Sequence, residues 1–462
     1  MTPQQIAGLG PALTEFLRSF RACFGERRLL THFATYCRGL LSDLPRKTVE
    51  PVALAAGTTV RALQLFLAQR DWDHRRLRDL LQQRIAAQHA PAPGTAPPGL
   101  GVTIGLIDET SAVKKGDQTP GVQRQYCGAV GKVENCIVSV HLGYCRPGGD
   151  EAGGDFIALL DADLFLPQSW SDDRPRCQAA NIPDDLVYRP KTLIALDQVR
   201  RALGNGLHFD FLVFDEGYGK DPSFLLGLGT LGQTWIGEVP KNFRCWPTRP
   251  QYHSWRKEFA SKEVRNVVRW SKAFIYQEWR SFLIPRQTTE PATWDVKGAQ
   301  VYLADPHSHR PTDRSFWLIV AWNRVTGEYK YFLSNAPPTT DLLLLLRVAF
   351  RRAQVEHLFR AVKQHVGFTH FEGRSYLGLM RHLILCQLLL LFLAEQTRDL
   401  NAQAPPPERP AEPPPQASEA PAPPAPPAAQ PLEAPLATSP PDPARRRGEK
   451  DTGPSATLGT AG

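Results

Sequence analysis

Two aspartates stand at the ends of two similar segments. Asp108 follows the apolar residues 101–107, and Asp215 follows the apolar residues 209–214. Short apolar segments of this kind predict buried strands. A carboxylate that ends such a strand lies at the rim of a sheet, where ligands bind in α/β proteins. Either residue alone is as well explained as a surface-loop aspartate, but the repetition of the pattern favours a functional role.

A third acid lies in a segment whose apolar residues have helical spacing. At about 100° per residue, Arg352, Glu356 and Lys363 fall within roughly 40° of arc, beside an apolar stripe that includes Val355. Taken alone, this line of charge is also typical of a solvated helix face stabilised by neighbouring ion pairs.

Together the three acids predict a specific chemistry. Three carboxylates can hold two divalent cations about 4 Å apart, and hard oxygen ligands suit Mg²⁺ or Mn²⁺. One ion activates a water molecule or a 3′-hydroxyl, and the other stabilises the leaving oxygen. Arg352 and Lys363 can hold phosphates beside them. This pattern favours phosphoryl transfer on a nucleic acid.

Several motifs occur in one order along the chain. They are Ile107-Asp-Glu-Thr110, Arg124-Gln-Tyr-Cys-Gly-Ala-Val-Gly-Lys132, Val213-Phe-Asp-Glu-Gly-Tyr-Gly219 and Val355-Glu-His-Leu-Phe-Arg-Ala-Val-Lys363. In these motifs, and over about residues 27–395, the sequence resembles the DDE transposases of bacterial insertion sequences.

The resemblance implies a fold and a set of site residues. The fold is an α/β ribonuclease-H-like core, with a mixed sheet flanked by helices, interrupted by a mainly β insertion. Asp108, Asp215 and Glu356 are the implied catalytic residues and the ligands of two Mg²⁺ (or Mn²⁺) ions. The family signature Tyr-x2-Arg-x3-Glu-x6-Lys maps onto Arg352, Glu356 and Lys363, with Ala349 in place of the tyrosine.

Three further acids are weighed against this set. Glu372 is a competing third carboxylate, but its spacing fits the signature worse. Glu109 and Glu216 directly follow the two aspartates and are expected to have secondary roles at most.

The charge of the chain is concentrated in one segment. The net charge is +8, and residues 241–286 alone hold eleven Lys and Arg against three Glu. Eight of the ten tryptophans lie between Trp235 and Trp322. Cations neutralise phosphates and aromatic rings stack on bases, although most of these tryptophans are equally expected in the core of a β module. The predicted DNA contacts are Lys114, Lys115, Arg124, Lys241, Arg244, Trp246, Trp255, Arg352 and Lys363.

Composition divides the 462 residues into segments. We predict a helical, DNA-binding region with a helix-turn-helix-like order (1–90), a linker (91–100), the first part of the core (101–235), the basic and aromatic β insertion (236–337), the second part of the core with the catalytic helix (338–398), and a disordered Pro/Ala-rich tail (399–462). A plain helical bundle is an equal alternative for the first region. Residues 145–190 are expected to be mostly loop.

Several classes of protein are excluded by the sequence. The first twenty residues lack the pattern of a secretory signal, and the longest apolar runs are shorter than the roughly 20 residues of a membrane span. The eight cysteines form no CxxC pair, so reduced thiols in the cytoplasm are expected.

The sequence therefore predicts a cytoplasmic bacterial transposase that acts at the nucleoid. It binds the inverted repeats of its element in double-stranded DNA, cuts the ends and joins the 3′-hydroxyls to target DNA, as a homodimer. The alternatives are a non-catalytic DNA-binding derivative and a ribonuclease-H-like nuclease with another role.

Overall fold

The computed structural model describes residues 2–89, 100–148, 155–250, 260–284 and 292–403. The predicted linker, except Leu100, and the predicted tail beyond Gln403 lie outside the described residues. The described helices are α1 (Pro3–Arg18), α2 (Arg27–Leu41), α3 (Val49–Ala55), α4 (Val60–Ala68), α5 (His74–Gln88), α6 (Gln168–Ser171), α7 (Arg174–Ala179), α8 (Lys191–Gly204), α9 (Glu216–Gly219), α10 (Pro222–Thr230), α11 (Val264–Trp270), α12 (Lys272–Ile275), α13 (Leu342–Phe350), α14 (Gln354–His365) and α15 (Tyr376–Gln403).

The strands occupy the middle of the chain. They are β1 (Ile104–Val113), β2 (Gln123–Cys127), β3 (Lys132–Arg146), β4 (Phe156–Leu164), β5 (Phe211–Phe214), β6 (Trp235–Val239), β7 (Arg244–Trp246), β8 (Lys262–Glu263), β9 (Arg280–Ile284), β10 (Ala292–Leu303), β11 (Phe316–Asn323) and β12 (Tyr329–Ser334). β5 ends directly before Asp215, as predicted, and the predicted hairpin around Thr326-Gly327 is present. The strand predicted to end at Asp108 instead continues to Val113, because its pairing with β3 extends that far, so Asp108 lies within β1.

One mixed sheet organises the described part of the chain. Its order is β2-β3-β1-β5-β6-β12-β11-β10-β7-β8, and β4 and β9 pair with β3 and β10. β3 is antiparallel to β1, whereas β5 is parallel to β1 and β6 is parallel to β5. The α/β class predicted from the sequence is thereby confirmed.

The strands of the insertion extend this sheet. β12 pairs with β6 in antiparallel orientation, from Tyr331 opposite Val239 to Ser334 opposite Ile236. β11 and β10 follow outward. The insertion therefore shares its backbone hydrogen bonds with the core, and two short helices, α11 and α12, accompany its strands.

The helices cover both faces of β1. Successive side chains of a strand point to opposite faces, so Asp108 and Glu109 face opposite ways. α14 packs on the face that carries Asp108, where the Phe359 ring lies 5.2 Å from that of His141, the residue paired with Asp108. α8 begins on the other face, where Lys191 forms an ion pair with Glu109.

α15 is the central helix of the described chain. By length and composition, Tyr376–Asn401 is apolar enough to cross a membrane, but 83% of its most apolar window is buried in the protein. A helix that is apolar on all sides is typical of a buried core position. Buried Arg381 on this helix donates to the carbonyls of Phe66, Leu67 and Trp72, so the N-terminal helices share its core.

The N-terminal helices include the predicted helix pair. α3 ends before Gly57, whose φ of 62° is in the left-handed region, where glycine carries no steric cost. α4 follows and buries Leu63, Phe66 and Leu67. Its opposite side leaves Arg61 and Gln64 exposed.

Three segments differ from the sequence-based expectation. In the described part of residues 145–190, β4 and two short helices lie where mostly loop is expected. β4 contains Asp161 and Asp163, which are untypical of a buried strand. Both form ion pairs with Arg201 of α8. The predicted catalytic helix is also interrupted, since residues 351–353 form a 3₁₀ turn between α13 and α14. The predicted tail begins inside α15, which continues to Gln403.

Candidate active site

The two aspartates lie just beyond the residues through which two parallel strands pair, with Asp108 inside β1 and Asp215 directly after β5. The ladder between β1 and β5 ends at Leu106 opposite Val213, two residues before Asp108 and Asp215. Asp108 is buried, with 8% of its surface exposed. Asp215 caps α9, and its Oδ1 accepts hydrogen bonds from the backbone N–H groups of Gly217, at 2.9 Å, and Tyr218, at 3.4 Å.

Arg352 connects the first acid to the third. Its Nη1 donates to Oδ2 of Asp108 at 3.0 Å, and its Nη2 donates to Oε1 of Glu356 at 2.9 Å. Arg352 lies in the 3₁₀ turn and Glu356 in the first turn of α14, so the break before α14 preserves the spacing that brings them together. The structure thus places Asp108, Arg352 and Glu356 in one cluster.

The electrostatics show that Asp215 belongs to the same cluster. Burial, and after it the neighbouring Asp215 carboxylate, raise the pKa of Asp108 to about 7 against the opposing effect of Arg352. Burial alone lowers the pKa of Arg352, but the carboxylates of Asp108, Asp215 and Glu356 outweigh burial and raise it. We call these four residues the acid cluster.

The acid cluster has the donor types that a hard divalent cation prefers. Among the residues that the structure describes, no three Asp, Glu, His or Cys side chains converge in a way that could hold a metal ion. The Arg352 guanidinium lies between two of the three carboxylates and supplies the positive charge there. A cation that binds both Asp108 and Glu356 therefore has to displace this guanidinium.

The alternative third acid lies elsewhere. Glu372 is exposed and forms an ion pair with Arg46 instead of joining the acid cluster. Glu216 is exposed as well. Glu109, in contrast, is held by Lys191 and by the hydroxyl of Tyr218, contacts that the sequence does not reveal.

The predicted DNA contacts of the core divide into two groups. Lys115 and Arg124 are exposed, and half-buried Lys363 lies near Asp108, with burial lowering its pKa. Lys114 corrects the prediction: it is buried, and its Nζ donates to the carbonyls of Thr369, at 3.0 Å, and Phe371, at 2.5 Å. Its ammonium is committed to the backbone and is not presented to a phosphate.

The predicted contacts of the insertion also divide. Lys241 and Arg244 are exposed, and Arg244 donates to Ser261. Trp246 is half-buried. Trp255 lies outside the described residues.

Among the described residues of the insertion, the two most exposed aromatic side chains are not among the predicted DNA contacts. Trp270 has 65% of its surface exposed and Tyr276 has 78%. The signal was present in α11, where Val264 and Val267 are buried. Each step of three residues turns the helix face by about 60°, so Trp270, two steps from Val264, has rotated away from the core. Arg269 lies over its ring at 4.7 Å.

Comparison with known proteins identifies the family of the chain. The sequence pattern of the DDE superfamily endonucleases matches residues 19–298. The chain belongs to this superfamily. The predicted resemblance to DDE transposases is thereby confirmed, and an endonuclease family implies a DNA substrate. The matched residues include both aspartates, and Glu356 lies beyond them.

A curated relative is similar over a longer stretch. It is the protein named "Probable transposase for insertion sequence element IS701" from Microchaete diplosiphon. It is 27% identical over 307 residues, which cover 64% of this chain and 73% of the relative.

Proposed function

We propose that this DDE superfamily member is a transposase. It binds the inverted-repeat ends of an insertion sequence, cleaves the DNA and transfers the 3′-hydroxyl ends to target DNA. The observation that carries the proposal is the contact of Arg352 with both Asp108 and Glu356 beside Asp215. The name of the similar protein supports the biological role.

The sheet supports a ribonuclease-H-like core. β1 has an antiparallel partner on one side and the parallel strands β5 and β6 on the other, and helices lie on both faces. This is the mixed sheet flanked by helices that the family resemblance implies. Asp108 lies within β1, Asp215 directly follows the parallel neighbour β5, and α14 carries the third acid.

Asp108, Asp215 and Glu356 would hold two Mg²⁺ or Mn²⁺ ions. Such ions activate the attacking hydroxyl and stabilise the leaving oxygen of a phosphodiester. Asp215 has its Oδ1 engaged as a helix cap, which leaves Oδ2 for a ligand. The burial of Asp108 keeps its carboxylate away from water, where its attraction for a cation is stronger than in solution.

Arg352 and Lys363 would then turn to the DNA. An arginine released from two carboxylates can donate paired hydrogen bonds to a phosphate. Lys363 lies on the same helix as Glu356, about two turns further. The Arg352 and Lys363 side chains would thus lie next to the phosphate that the activated hydroxyl attacks.

The DNA surface would extend over the insertion and the N-terminal helices. Trp270 and Tyr276 expose aromatic faces that can stack on unpaired bases. Arg61 and Gln64 of α4 are exposed beyond the turn at Gly57, as a helix-turn-helix requires. We assign residues 1–90 and 236–337 to DNA binding on this basis.

A transposable element has two ends, which equivalent sites can cut. We therefore propose that two copies of the chain act together, in the bacterial cytoplasm at the nucleoid.

The proposal is tested with DNA that carries the gene and its flanking sequence. The variants Asp108→Asn, Asp215→Asn and Glu356→Gln should each lose about 10³-fold or more in Mg²⁺-dependent end cleavage, since each removes several kcal/mol of metal-based stabilisation. Footprinting should show that all three still bind the ends.

The matched control is Glu372→Gln, because Glu372 is an acid of the same region that contacts Arg46 instead of the cluster. It should cleave like the wild type. Retained cleavage in the three cluster variants would refute the assignment. Footprinting without cleavage in the wild type would favour the non-catalytic derivative, and cleavage without strand joining or end preference would favour a nuclease of another role.

A further inference from the structure

Nothing in the backbone ladder fixes the distance between Asp108 and Asp215. The paired residues of β1 and β5 end at Leu106 and Val213. Beyond this point β5 ends and the chain turns into α9. No backbone hydrogen bond of this ladder joins the two aspartates, so side-chain contacts contribute to the separation of their carboxylates.

The residue after Asp108 supplies such a contact. Glu109 lies on the opposite face of β1, where the buried hydroxyl of Tyr218 donates to its Oε2 at 3.3 Å. Lys191, the first residue of α8, donates to its Oε1. Both carboxylate oxygens of Glu109 are thus engaged by two different helices.

These contacts form a chain between the aspartates. The backbone N–H of Glu109 donates to Oδ1 of Asp108 at 2.7 Å, and the backbone N–H of Tyr218 donates to Oδ1 of Asp215 at 3.4 Å. Glu109 therefore holds Asp108 with its backbone N–H, and Tyr218 holds Asp215 in the same way. The side chains of Glu109 and Tyr218 hold each other.

The helix that carries Tyr218 is itself fixed against the sheet. A Cβ added to Gly219 would lie 2.0 Å from the carbonyl oxygen of Glu238, so only glycine lets α9 approach β6 this closely. Tyr218 is 2% exposed. The chain of contacts is thus anchored in a packed part of the fold.

We propose that Glu109, Tyr218 and Lys191 are positioning residues that set the separation of the Asp108 and Asp215 carboxylates for divalent cations. The catalytic consequence rests on the proposed function, whereas the metal-binding consequence does not. Partners of metal ligands commonly change metal affinity by about 10-fold to 100-fold when they are removed.

The central variant is Tyr218→Phe, which removes one hydroxyl and keeps the ring. Binding of Mn²⁺ to the DNA-free protein, followed by electron paramagnetic resonance, should weaken about tenfold. The Mg²⁺ concentration for half-maximal end cleavage should rise by a similar factor, while the rate at saturating Mg²⁺ changes less than about threefold. The thermal unfolding midpoint in EDTA should stay within about 3 °C.

Lys191 provides a second test at a partly exposed position. Lys191→Met should weaken Mn²⁺ binding in the same direction as Tyr218→Phe, and Lys191→Arg should restore it, because arginine can still donate to Glu109. The matched control is Glu216→Gln. Glu216 follows Asp215 as Glu109 follows Asp108, yet in the described chain it forms no ion pair or side-chain hydrogen bond, so its variant should match the wild type.

The outcomes separate the two proposals. Wild-type Mn²⁺ affinity in both Tyr218→Phe and Lys191→Met would overturn the positioning role, whatever the wild type does to DNA. A large fall of the unfolding midpoint in both, with no rescue by Lys191→Arg, would assign these residues to fold stability and overturn it too. A wild type that binds Mn²⁺ through Asp108 but never cleaves DNA would sink the proposed function alone.

Discussion

The acid cluster and the outer face of the insertion handle charge in opposite ways. In the acid cluster, the guanidinium of Arg352 forms ion pairs with Asp108 and Glu356, and the Asp215 carboxylate accepts hydrogen bonds from the backbone. On the insertion, Arg265, Arg269, Trp270, Lys272 and Tyr276 are exposed. We call these five residues the insertion surface. A metal-assisted reaction needs fixed distances, which a packed sheet provides. Attraction of a polyanion needs charge and flat rings, which tolerate a looser arrangement.

The largest effect should come from Arg352, where the two functions meet. Arg352→Met should lower end cleavage about 100-fold, as expected for the loss of a charged donor to the reacting phosphate. The same change should strengthen Mn²⁺ binding to the DNA-free protein, because no guanidinium competes for Asp108 and Glu356. Cleavage assays and Mn²⁺ titrations measure the two effects separately.

Arg360→Met is the matched control for this variant. Arg360 is exposed on α14, the helix that follows the turn of Arg352, and belongs to neither the acid cluster nor the insertion surface. It should leave Mn²⁺ binding unchanged. If Arg352→Met weakened Mn²⁺ binding instead, the guanidinium would support the metal site. The view that it competes with the cation for Asp108 and Glu356 would then be wrong.

The insertion surface should show the reverse pattern. Trp270→Ala should weaken binding of element-end DNA about tenfold, since stacking of a base on an aromatic ring contributes about 1–3 kcal/mol. Mn²⁺ affinity should be unaffected. Trp270→Phe keeps an aromatic face and should retain most of the affinity, and equal weakening by Ala and Phe would argue against stacking.

The acid cluster could be predicted because its pattern is local. Apolar runs that end in aspartate indicate the two strands, although β1 continues past Asp108 to Val113. The four-residue spacing of Arg352 and Glu356 is kept across the 3₁₀ turn. The predicted α/β class follows from the same strands and helices. What a pattern of this kind cannot show is which face a neighbouring acid takes, and so Glu109 and Glu216 look alike in the sequence.

The predictions for Lys114 and β4 are wrong for one physical reason. The groups that their side chains contact lie far along the chain. Lys114 looks like a surface cation, but its ammonium donates to carbonyls about 255 residues away. β4 contains two aspartates, which in the sequence indicate a loop. In the structure both form ion pairs with Arg201. Trp270 could not be separated from the buried Trp235 and Trp294 by composition, because exposure depends on where α11 ends.

Acid should affect the core through its neutral histidines. Burial lowers the pKa of His382 to about 4, and burial also lowers that of His74 to about 4. The unfolded chain takes up these protons near pH 6.5 and the folded chain does not. The stability that these residues contribute is therefore complete above about pH 6.5 and is lost as the pH falls towards 4.

His382→Gln isolates one of these contributions. His382 contacts the Tyr36 hydroxyl through Nδ1 at 2.9 Å, so the variant is expected to be less stable at every pH. The difference between its denaturant midpoints at pH 7 and pH 5 should nevertheless be smaller than that of the wild type. An unchanged difference would mean that His382 does not stay neutral in the folded core.

The smallest effect should come from single charges of the insertion surface. Lys272→Gln should change the affinity for DNA little at one salt concentration. The slope of the logarithm of affinity against the logarithm of salt concentration should fall by about 0.9 for each phosphate that the variant no longer neutralises. Arg200→Gln is the control, because Arg200 is exposed on α8, outside the two regions assigned to DNA binding, and pairs with Asp197. Equal slopes for Lys272→Gln and the wild type would mean that the DNA phosphates lie away from α12. The proposed DNA contact of the insertion surface would then be limited to Trp270.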